Sequence, residues 1–133
     1  MLGTGEAVAV LAAEDIQRAR TYYKDKLGLD PAEDAEGELR YRMTGGSGFL
    51  IYETGNARTA KNTVLCWVTD DLDGQMSELR GRGVVFEDYD FPGLKTENGV
   101  STTGSERAAW FTDSEGNILC LTQRTPSHQT EKH

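Results

Sequence analysis

The side chains with the most reactive chemistry in this sequence are two cysteines and two histidines. Cys66 and Cys120 each lie inside an apolar run, whereas His128 and His133 lie in the polar C-terminal stretch. A thiol becomes a nucleophile or a redox centre when a nearby cation or helix N-terminus lowers its pKa, and no basic residue lies close in sequence to either cysteine. The alternative is that both are small apolar core residues, which free cysteines resemble in packing, and the apolar runs favour it.

The N-terminal half of the chain predicts the first of the strands and helices that position these residues. The continuously apolar run 7–12 predicts a buried strand. Asp15 stands where a helix N-cap is expected, and Gly28 supplies the stop that ends the helix. Three short strands should follow, near residues 31–35, 38–44 and 48–54.

The second half of the chain repeats this order. It predicts strands over 62–69, 84–89, 107–112 and 117–123 and a helix over 71–82. The stretch 91–106 is rich in Gly, Ser, Thr and Asn, which predicts a long loop of the kind that often binds or covers ligands.

Each half therefore has the order β-α-β-β-β, and a repeat of half the chain indicates two copies of one supersecondary unit. Pairing the two predicts an α+β fold in which a cupped, eight-stranded mixed sheet carries its helices on the outside. A concave apolar surface of this kind is where small ligands bind. We expect a single domain over residues 1–124, with modules at about 5–55 and 62–124, and a flexible polar tail over 125–133.

Composition and charge argue against several classes of function. The net charge of −8 repels nucleic acid and anionic membranes, and the 14 basic residues are scattered rather than collected in a stripe. No apolar run approaches the roughly 20 residues that span a bilayer, and the N-terminus lacks the pattern of a signal peptide. We therefore expect a cytoplasmic protein whose partners include neither nucleic acid nor membrane.

Four short motifs occur in an order and spacing known from one superfamily. They are Asp15-Ile16-x-Arg18-Ala19-x-x-Tyr22-Tyr23 through Leu27-Gly28-Leu29, Val68-x-Asp70-Asp71-Leu72, Leu79-Arg80-x-Arg82-Gly83-Val84 and Ala109-Trp110-Phe111-x-Asp113-x-x-Gly116-Asn117-Ile118-Leu119. Over residues 5–124 the sequence resembles the vicinal oxygen chelate superfamily, the glyoxalase and bleomycin-resistance proteins. The resemblance implies the paired βαβββ fold and a homodimer, but it selects no single activity.

Enzymes of that superfamily hold a divalent metal through His, Glu or Gln side chains, one from each of four central strands. The resemblance places those positions at Val8, Tyr52, Val64 and Cys120, none of which is a residue of these types. A register slip of one residue would bring in Glu53, but it would also turn that strand inside out. We therefore expect no metal site and no cofactor.

The same resemblance suggests which residues would line a ligand pocket. In drug-sequestering members of the superfamily, aromatic side chains replace the metal ligands and stack against flat or cationic ligands. The pocket residues expected here are Val8, Tyr52, Val64, Cys66, Trp110 and Cys120. Ordinary sheet packing is the alternative for the aromatic members, and Trp67, which alternates with Cys66, should face the covering helices. Arg40 and Arg42 share a strand face, where they either hold an anion or solvate an edge.

Three functional hypotheses follow. The first is a metal-free protein that binds a small, partly apolar or aromatic molecule in the cup. The second is a divalent-metal-dependent lyase, isomerase or dioxygenase with an atypical ligand set. The third is a subunit or sensor whose cup is filled by its own side chains. The missing ligand residues argue against the second, the aromatic residues favour the first over the third, and no catalytic residue can be named.

Overall fold

The computed structural model describes residues 2–124, and its α+β class is the one that the sequence predicts. The helices of this part of the chain are α1, Ile16–Leu27, and α2, Leu72–Gly81. The strands are β1 Ala9–Ala13, β2 Glu33–Ala35, β3 Glu38–Arg42, β4 Gly48–Glu53, β5 Thr63–Val68, β6 Asp90–Phe91, β7 Leu94–Lys95, β8 Ser101–Thr102, β9 Glu106–Thr112 and β10 Ile118–Arg124. A single 3₁₀ turn, Leu2–Thr4, precedes them. The polar tail predicted over 125–133 lies outside the described residues.

The first sheet has the strand order β1-β4-β3-β2, with β1 parallel to β4 and the other pairs antiparallel. One face of this sheet is packed: Leu11, Ile51 and Leu39 form a buried row across three neighbouring strands. Helix α1 lies on that face, and the ring of its Tyr23 is 5.6 Å from the ring of Tyr41. Because side chains alternate along a strand, the residues between these face the other way.

The second sheet has the strand order β5-β10-β9-β8, so the strands of Cys66 and Cys120 are neighbours. Its packed face carries Phe111 and Leu119, which are fully buried, as is Leu72 of α2. The ring of Trp67 stacks on Phe111 with centroids 6.4 Å apart. Trp67 therefore lies on the packed face, as its alternation with Cys66 predicts.

The helix ends agree with the sequence signals. The Asp15 side chain accepts hydrogen bonds from the backbone N–H groups of Gln17 and Arg18, and so caps α1. Gly28 ends that helix in the left-handed conformation, with φ of 72°, which a residue without a side chain adopts at no steric cost. Asp71 caps α2 by accepting from the N–H of Gly74.

Two predictions between α2 and β9 are wrong in detail. Residues 84–89 do not form a full strand, because only Phe86 pairs with β9, opposite Phe111. The chain then turns away, since Asp88 accepts hydrogen bonds from Thr96 and from the Gly99 N–H. The expected loop 91–106 is consequently structured: it contains the end of the β6–β7 hairpin and strand β8.

The chain divides into two compact units. The first comprises the residues up to Val64 together with Asp113–Asn117, the turn between β9 and β10. The second comprises Leu65–Thr112 and the residues from Ile118 onward. The strands form two separate four-stranded sheets, and in the second sheet β8 takes the place of the strand predicted over 84–89. Neither α1 nor α2 is long and apolar enough to cross a membrane.

One buried polar atom in the first unit leads to a prediction. The Tyr41 hydroxyl is buried and has no hydrogen-bond partner among residues 2–124, and burial raises the pKa of Tyr41 to about 12. Replacing Tyr41 with phenylalanine should therefore raise the free energy of unfolding, by about 0.5–1 kcal/mol. Urea unfolding measures the change. Tyr23→Phe is the matched control, because it removes a hydroxyl that is hydrogen-bonded and should lower stability; a loss of stability in both variants would contradict the prediction.

Candidate ligand-binding faces

The unpacked side of the first sheet is the first candidate site. We call it the first open face and define it by Val8, Val10, Tyr52, Arg40 and Arg42. Val10, on the edge strand β1, is 54% exposed, and Tyr52, on the neighbouring strand β4, is 41% exposed. Val8 and Tyr52, two of the predicted pocket residues, are therefore exposed to solvent in the part of the chain that the structure describes.

The two arginines of the first open face differ in their electrostatic surroundings. Arg40 Nε lies 3.1 Å from a carboxylate oxygen of Glu38 and 3.8 Å from one of Glu33, so its charge is balanced. No ion pair within 4.0 Å involves Arg42 in the part of the chain that the structure describes. A cavity of about 260 Å³ adjoins both arginines, and Val8 and Gly48 also line it. Arg42 is therefore the arginine of this face that could form an ion pair with an anionic ligand.

The register of β4 settles which of its residues reaches this face. Tyr52 is paired with Ala12 of β1 and Glu38 of β3. Glu53 points to the opposite side, where its carboxylate accepts a hydrogen bond from the N–H of Ile16 at 3.2 Å. The one-residue slip that would have placed a carboxylate at the ligand position does not occur.

The unpacked side of the second sheet carries the other predicted site residues. We call it the second open face and define it by Val64, Cys66, Cys120, Trp110 and Thr122. Cys66 is exposed and Cys120 is buried, while Val64 and Trp110 are half-buried. Cys120 is directly paired with Trp110, and Cys66 Sγ lies 3.7 Å from Thr122 Oγ1. The second sheet thus brings its predicted residues together on one face.

Two aromatic residues beside this face were missed by the sequence analysis. The ring of Tyr89 meets Trp110 edge to face with centroids 5.9 Å apart, and the ring of Phe91 meets Tyr89 in the same way. Burial raises the pKa of Tyr89, and the nearby charge of Glu87 raises it further. The signal in the sequence is the alternation of Tyr89 and Phe91 immediately before Pro92-Gly93, which is typical of a strand entering a turn.

A larger cavity in the second unit contains none of the predicted residues. It has a volume of about 530 Å³ and lies beside α2. Two of its arginines are already engaged: Arg107 makes two hydrogen bonds to Asp73, and Arg80 donates to the carbonyl of Asn98 at 2.8 Å. The arginines of this cavity are therefore already hydrogen-bonded to neighbouring protein groups, and its lining is more polar than the two open faces.

The residues at the predicted ligand positions do not fit a divalent metal. Val8 and Val64 have no donor atom, and Tyr52 and Cys120 provide one phenol and one buried thiol. Divalent ions in proteins are held by imidazole, carboxylate or thiolate ligands in sets of three or more. Among residues 2–124 no three His, Cys, Asp or Glu side chains are grouped so that they could hold one.

Residues in and directly beside the motifs that carry the family resemblance have structural roles in the first unit. The fully buried Glu115 accepts hydrogen bonds from Arg18 Nε and from the backbone N–H of Asp15, at 2.8 and 3.0 Å. Asp113 accepts from the Tyr23 hydroxyl at 2.6 Å, and burial followed by the charge of Asp113 raises the pKa of Tyr23 well above its usual value. These residues build the fold, which is why the motifs predict architecture and not activity.

Comparisons with known proteins agree with this architecture. No protein-family model matches the sequence, and no curated protein matches it. Solved structures do match. The manganese-bound fosfomycin resistance protein FosX of Listeria monocytogenes is similar with a TM-score of 0.67 at 13% identity, covering 97% of each chain. TnmS3, an antibiotic-binding protein from Streptomyces sp. CB03234, is similar with a TM-score of 0.67 at 22% identity, covering 92% of this chain and 98% of that one.

A third similar structure is a glyoxalase/bleomycin-resistance protein from Catenulispora acidiphila, with a TM-score of 0.62 at 23% identity. It covers 89% of this chain and 96% of its own. At these identities the likeness establishes the fold. The chain therefore has the vicinal oxygen chelate fold of the glyoxalase and bleomycin-resistance proteins, as the sequence motifs predict.

Proposed function

We propose that this protein binds a small, partly apolar or aromatic molecule on the open faces of its sheets and does so without a metal ion. The observation that carries the proposal is the exposure of Val10 and Tyr52 on the first open face. Large apolar side chains that are exposed to water together on one face of a sheet are typical of a binding surface. The antibiotic-binding TnmS3, which shares the fold, supports a binding role of this kind.

The charges of the first open face narrow the class of ligand. A flat apolar body would contact Val10 and Tyr52, and an acidic group on it would meet Arg42, whose charge no carboxylate balances within 4.0 Å among the described residues. We therefore infer an aromatic or aliphatic molecule with one anionic group. Chemistry that requires a metal is not part of the proposal, because the donor atoms at the ligand positions do not fit one.

Fluorescence titration with 1-anilinonaphthalene-8-sulfonate, an aromatic anion, tests this proposal. Tyr52→Ala should weaken binding about twofold to thirtyfold, since an aromatic or cation–π contact contributes about 0.5–2 kcal/mol. Arg42→Ala should weaken binding of this anion but leave binding of the neutral probe N-phenyl-1-naphthylamine unchanged. Circular dichroism of each variant confirms that the fold is retained.

The matched control is Val85→Ala, which removes apolar surface from a side chain that is 77% exposed outside both open faces. Affinity for either probe should be unchanged in it. Equal losses in Tyr52→Ala and Val85→Ala would mean that the probe binds nonspecifically, and the proposal would fail.

The metal-free part of the proposal is measured on the same samples. Probe affinity should not change on adding EDTA or Mn²⁺, and elemental analysis of untagged protein should give far less than one divalent ion per chain. Metal near one per chain, with affinity lost in EDTA, would instead support the lyase, isomerase or dioxygenase class. Light scattering of the sample also tests the expected homodimer.

A further inference from the structure

Two thiols lie side by side on the second open face. Cys66 is on β5 and Cys120 is on β10, which are neighbours in the sheet. Cys66 Sγ lies 3.7 Å from the hydroxyl of Thr122, which is two residues from Cys120 and so shares its face of β10. Neighbouring strands lie about 4.8 Å apart, which is within the range of Cα separations that a disulfide bridges.

The two thiols have unequal environments. Cys66 is exposed, whereas Cys120 is only 4% exposed. A hydrogen bond from Cys120 lowers the pKa of Cys66, and the Thr122 hydroxyl adds to this against the opposing effect of burial. The same hydrogen bond and its own burial raise the pKa of Cys120. Both shifts favour ionisation of the accessible sulfur while Cys120 keeps its proton.

This arrangement differs from that of two core cysteines. A thiol that only packs is buried and surrounded by apolar atoms, and it gains nothing from a neighbouring thiol. A thiol that reacts is accessible, carries the thiolate and has a second thiol within reach to resolve its oxidised form. Exposure places Cys66 in the second class, and the covered position of Cys120 suits a resolving thiol.

We propose that Cys66 is a reactive thiol toward hydroperoxides and that Cys120 resolves it, so that the pair closes reversibly to a disulfide on the second open face. The Cys66 thiolate attacks one peroxide oxygen, an S–O bond forms, the O–O bond breaks, and the leaving oxygen takes a proton. Cys120 sulfur then attacks the sulfenic acid; the S–S bond forms, the S–O bond breaks, and the hydroxide leaves as water with the Cys120 proton. In total, the two thiols lose two electrons to the hydroperoxide. An organic hydroperoxide is reduced to one alcohol and one water, and hydrogen peroxide is reduced to two waters.

The experiment uses the full chain, reduced and then freed of reductant, with hydrogen peroxide as the probe. Its two cysteines are the only ones in the sequence, so counting thiols is unambiguous. Wild-type protein should lose both thiols together, its intact mass should fall by two hydrogen atoms without added oxygen, and dithiothreitol should restore it. Cys120→Ser should stop at the sulfenic acid, which dimedone traps, and Cys66→Ser should keep its thiol under the same conditions.

A second measurement does not depend on disulfide formation. Alkylation of Cys66 by iodoacetamide near neutral pH should be about tenfold faster in the folded protein than in the same protein in urea, because more thiolate is present. In Cys120→Ser this advantage should shrink, since the donor thiol is gone. Three outcomes would each overturn the proposal. They are equal alkylation rates in folded and urea-unfolded protein, equal reactivity of the two single variants, and disulfides that form only between chains. Binding of the naphthalene probes plays no part in these readouts, so the two proposals stand or fall separately.

Discussion

Replacing Glu115 with alanine is expected to lower the free energy of unfolding by about 3 kcal/mol, the lower end of the range for breaking a buried ion pair. The side chain is fully buried and accepts hydrogen bonds from Arg18, Glu14 N–H and Asp15 N–H. Its loss leaves the start of α1 without these partners. The value is at the lower end because Arg18 is partly exposed and water can replace one partner. Urea unfolding followed by circular dichroism measures the change.

Glu14 provides the matched control for this substitution. Its carboxylate also pairs with Arg18, at 3.3 Å, but its side chain is 62% exposed. Glu14→Ala should therefore cost less than about 1 kcal/mol, as exposed ion pairs do. Equal losses in the free energy of unfolding of Glu115→Ala and Glu14→Ala would contradict the prediction, because burial would then add nothing to the contribution of Glu115.

The same ion pair gives the stability a defined pH dependence. Burial alone would raise the pKa of Glu115, but hydrogen bonds from Arg18, the Asp15 N–H and Ser114 outweigh it and lower the pKa to about 2. A carboxylate whose pKa is lowered by folding stabilises fully above its unfolded value of about 4.3, and this contribution is lost as the pH falls through the folded value. The difference in stability between wild type and Glu115→Gln should be constant from about pH 7 to 5 and shrink below about pH 4.

The second large effect is expected at Asp113. This buried side chain accepts four hydrogen bonds: from the Tyr23 hydroxyl, from the N–H groups of Glu115 and Asn117, and from the Asn117 amide. Asp113→Ala leaves several buried donors without partners, each of which costs about 1–3 kcal/mol, so a loss of about 3–5 kcal/mol is expected. Thermal and urea unfolding give the value.

Two further variants separate the contributions at Asp113. Tyr23→Phe removes only the 2.6 Å hydroxyl bond and should cost about 1–2 kcal/mol. Asp70→Ala, an exposed aspartate beside α2, should change stability by less than about 0.5 kcal/mol. A loss in Asp113→Ala no larger than that in Tyr23→Phe would show that the backbone bonds of the turn contribute nothing.

Local signals made most of this fold predictable from the sequence. Asp15 and Gly28 mark the ends of α1 through interactions with residues a few positions away, and the alternation in β3 shows which of its side chains are buried. The region after Phe86 was not predictable in this way. There Asp88 and Thr96, eight positions apart, bond to each other and draw the chain out of the sheet.

The candidate site was predictable only in part, for the same physical reason. Counting from the motifs places Tyr52 on a strand face, and the register agrees. Arg40 pairs with Glu38, two positions away on the same strand, and also with Glu33 of a neighbouring strand. No pattern within one strand reveals the second pairing. The buried position of Glu115 is likewise invisible, because its backbone partners lie 100 and 101 positions away.

The first unit is built from two separate segments of the sequence, and this affects how the chain folds during synthesis. The unit is discontinuous in sequence, since the turn Asp113–Asn117 belongs to it along with the residues up to Val64. A ribosome translates at about 5–20 residues per second. For several seconds the emerging segment up to Val64 therefore lacks the carboxylates of Glu115 and Asp113, which will accept hydrogen bonds from the Asp15 N–H and from the Tyr23 hydroxyl. Its sheet and helix can begin to pack in that interval, but the first unit is complete only after Asp113–Asn117 has left the ribosome.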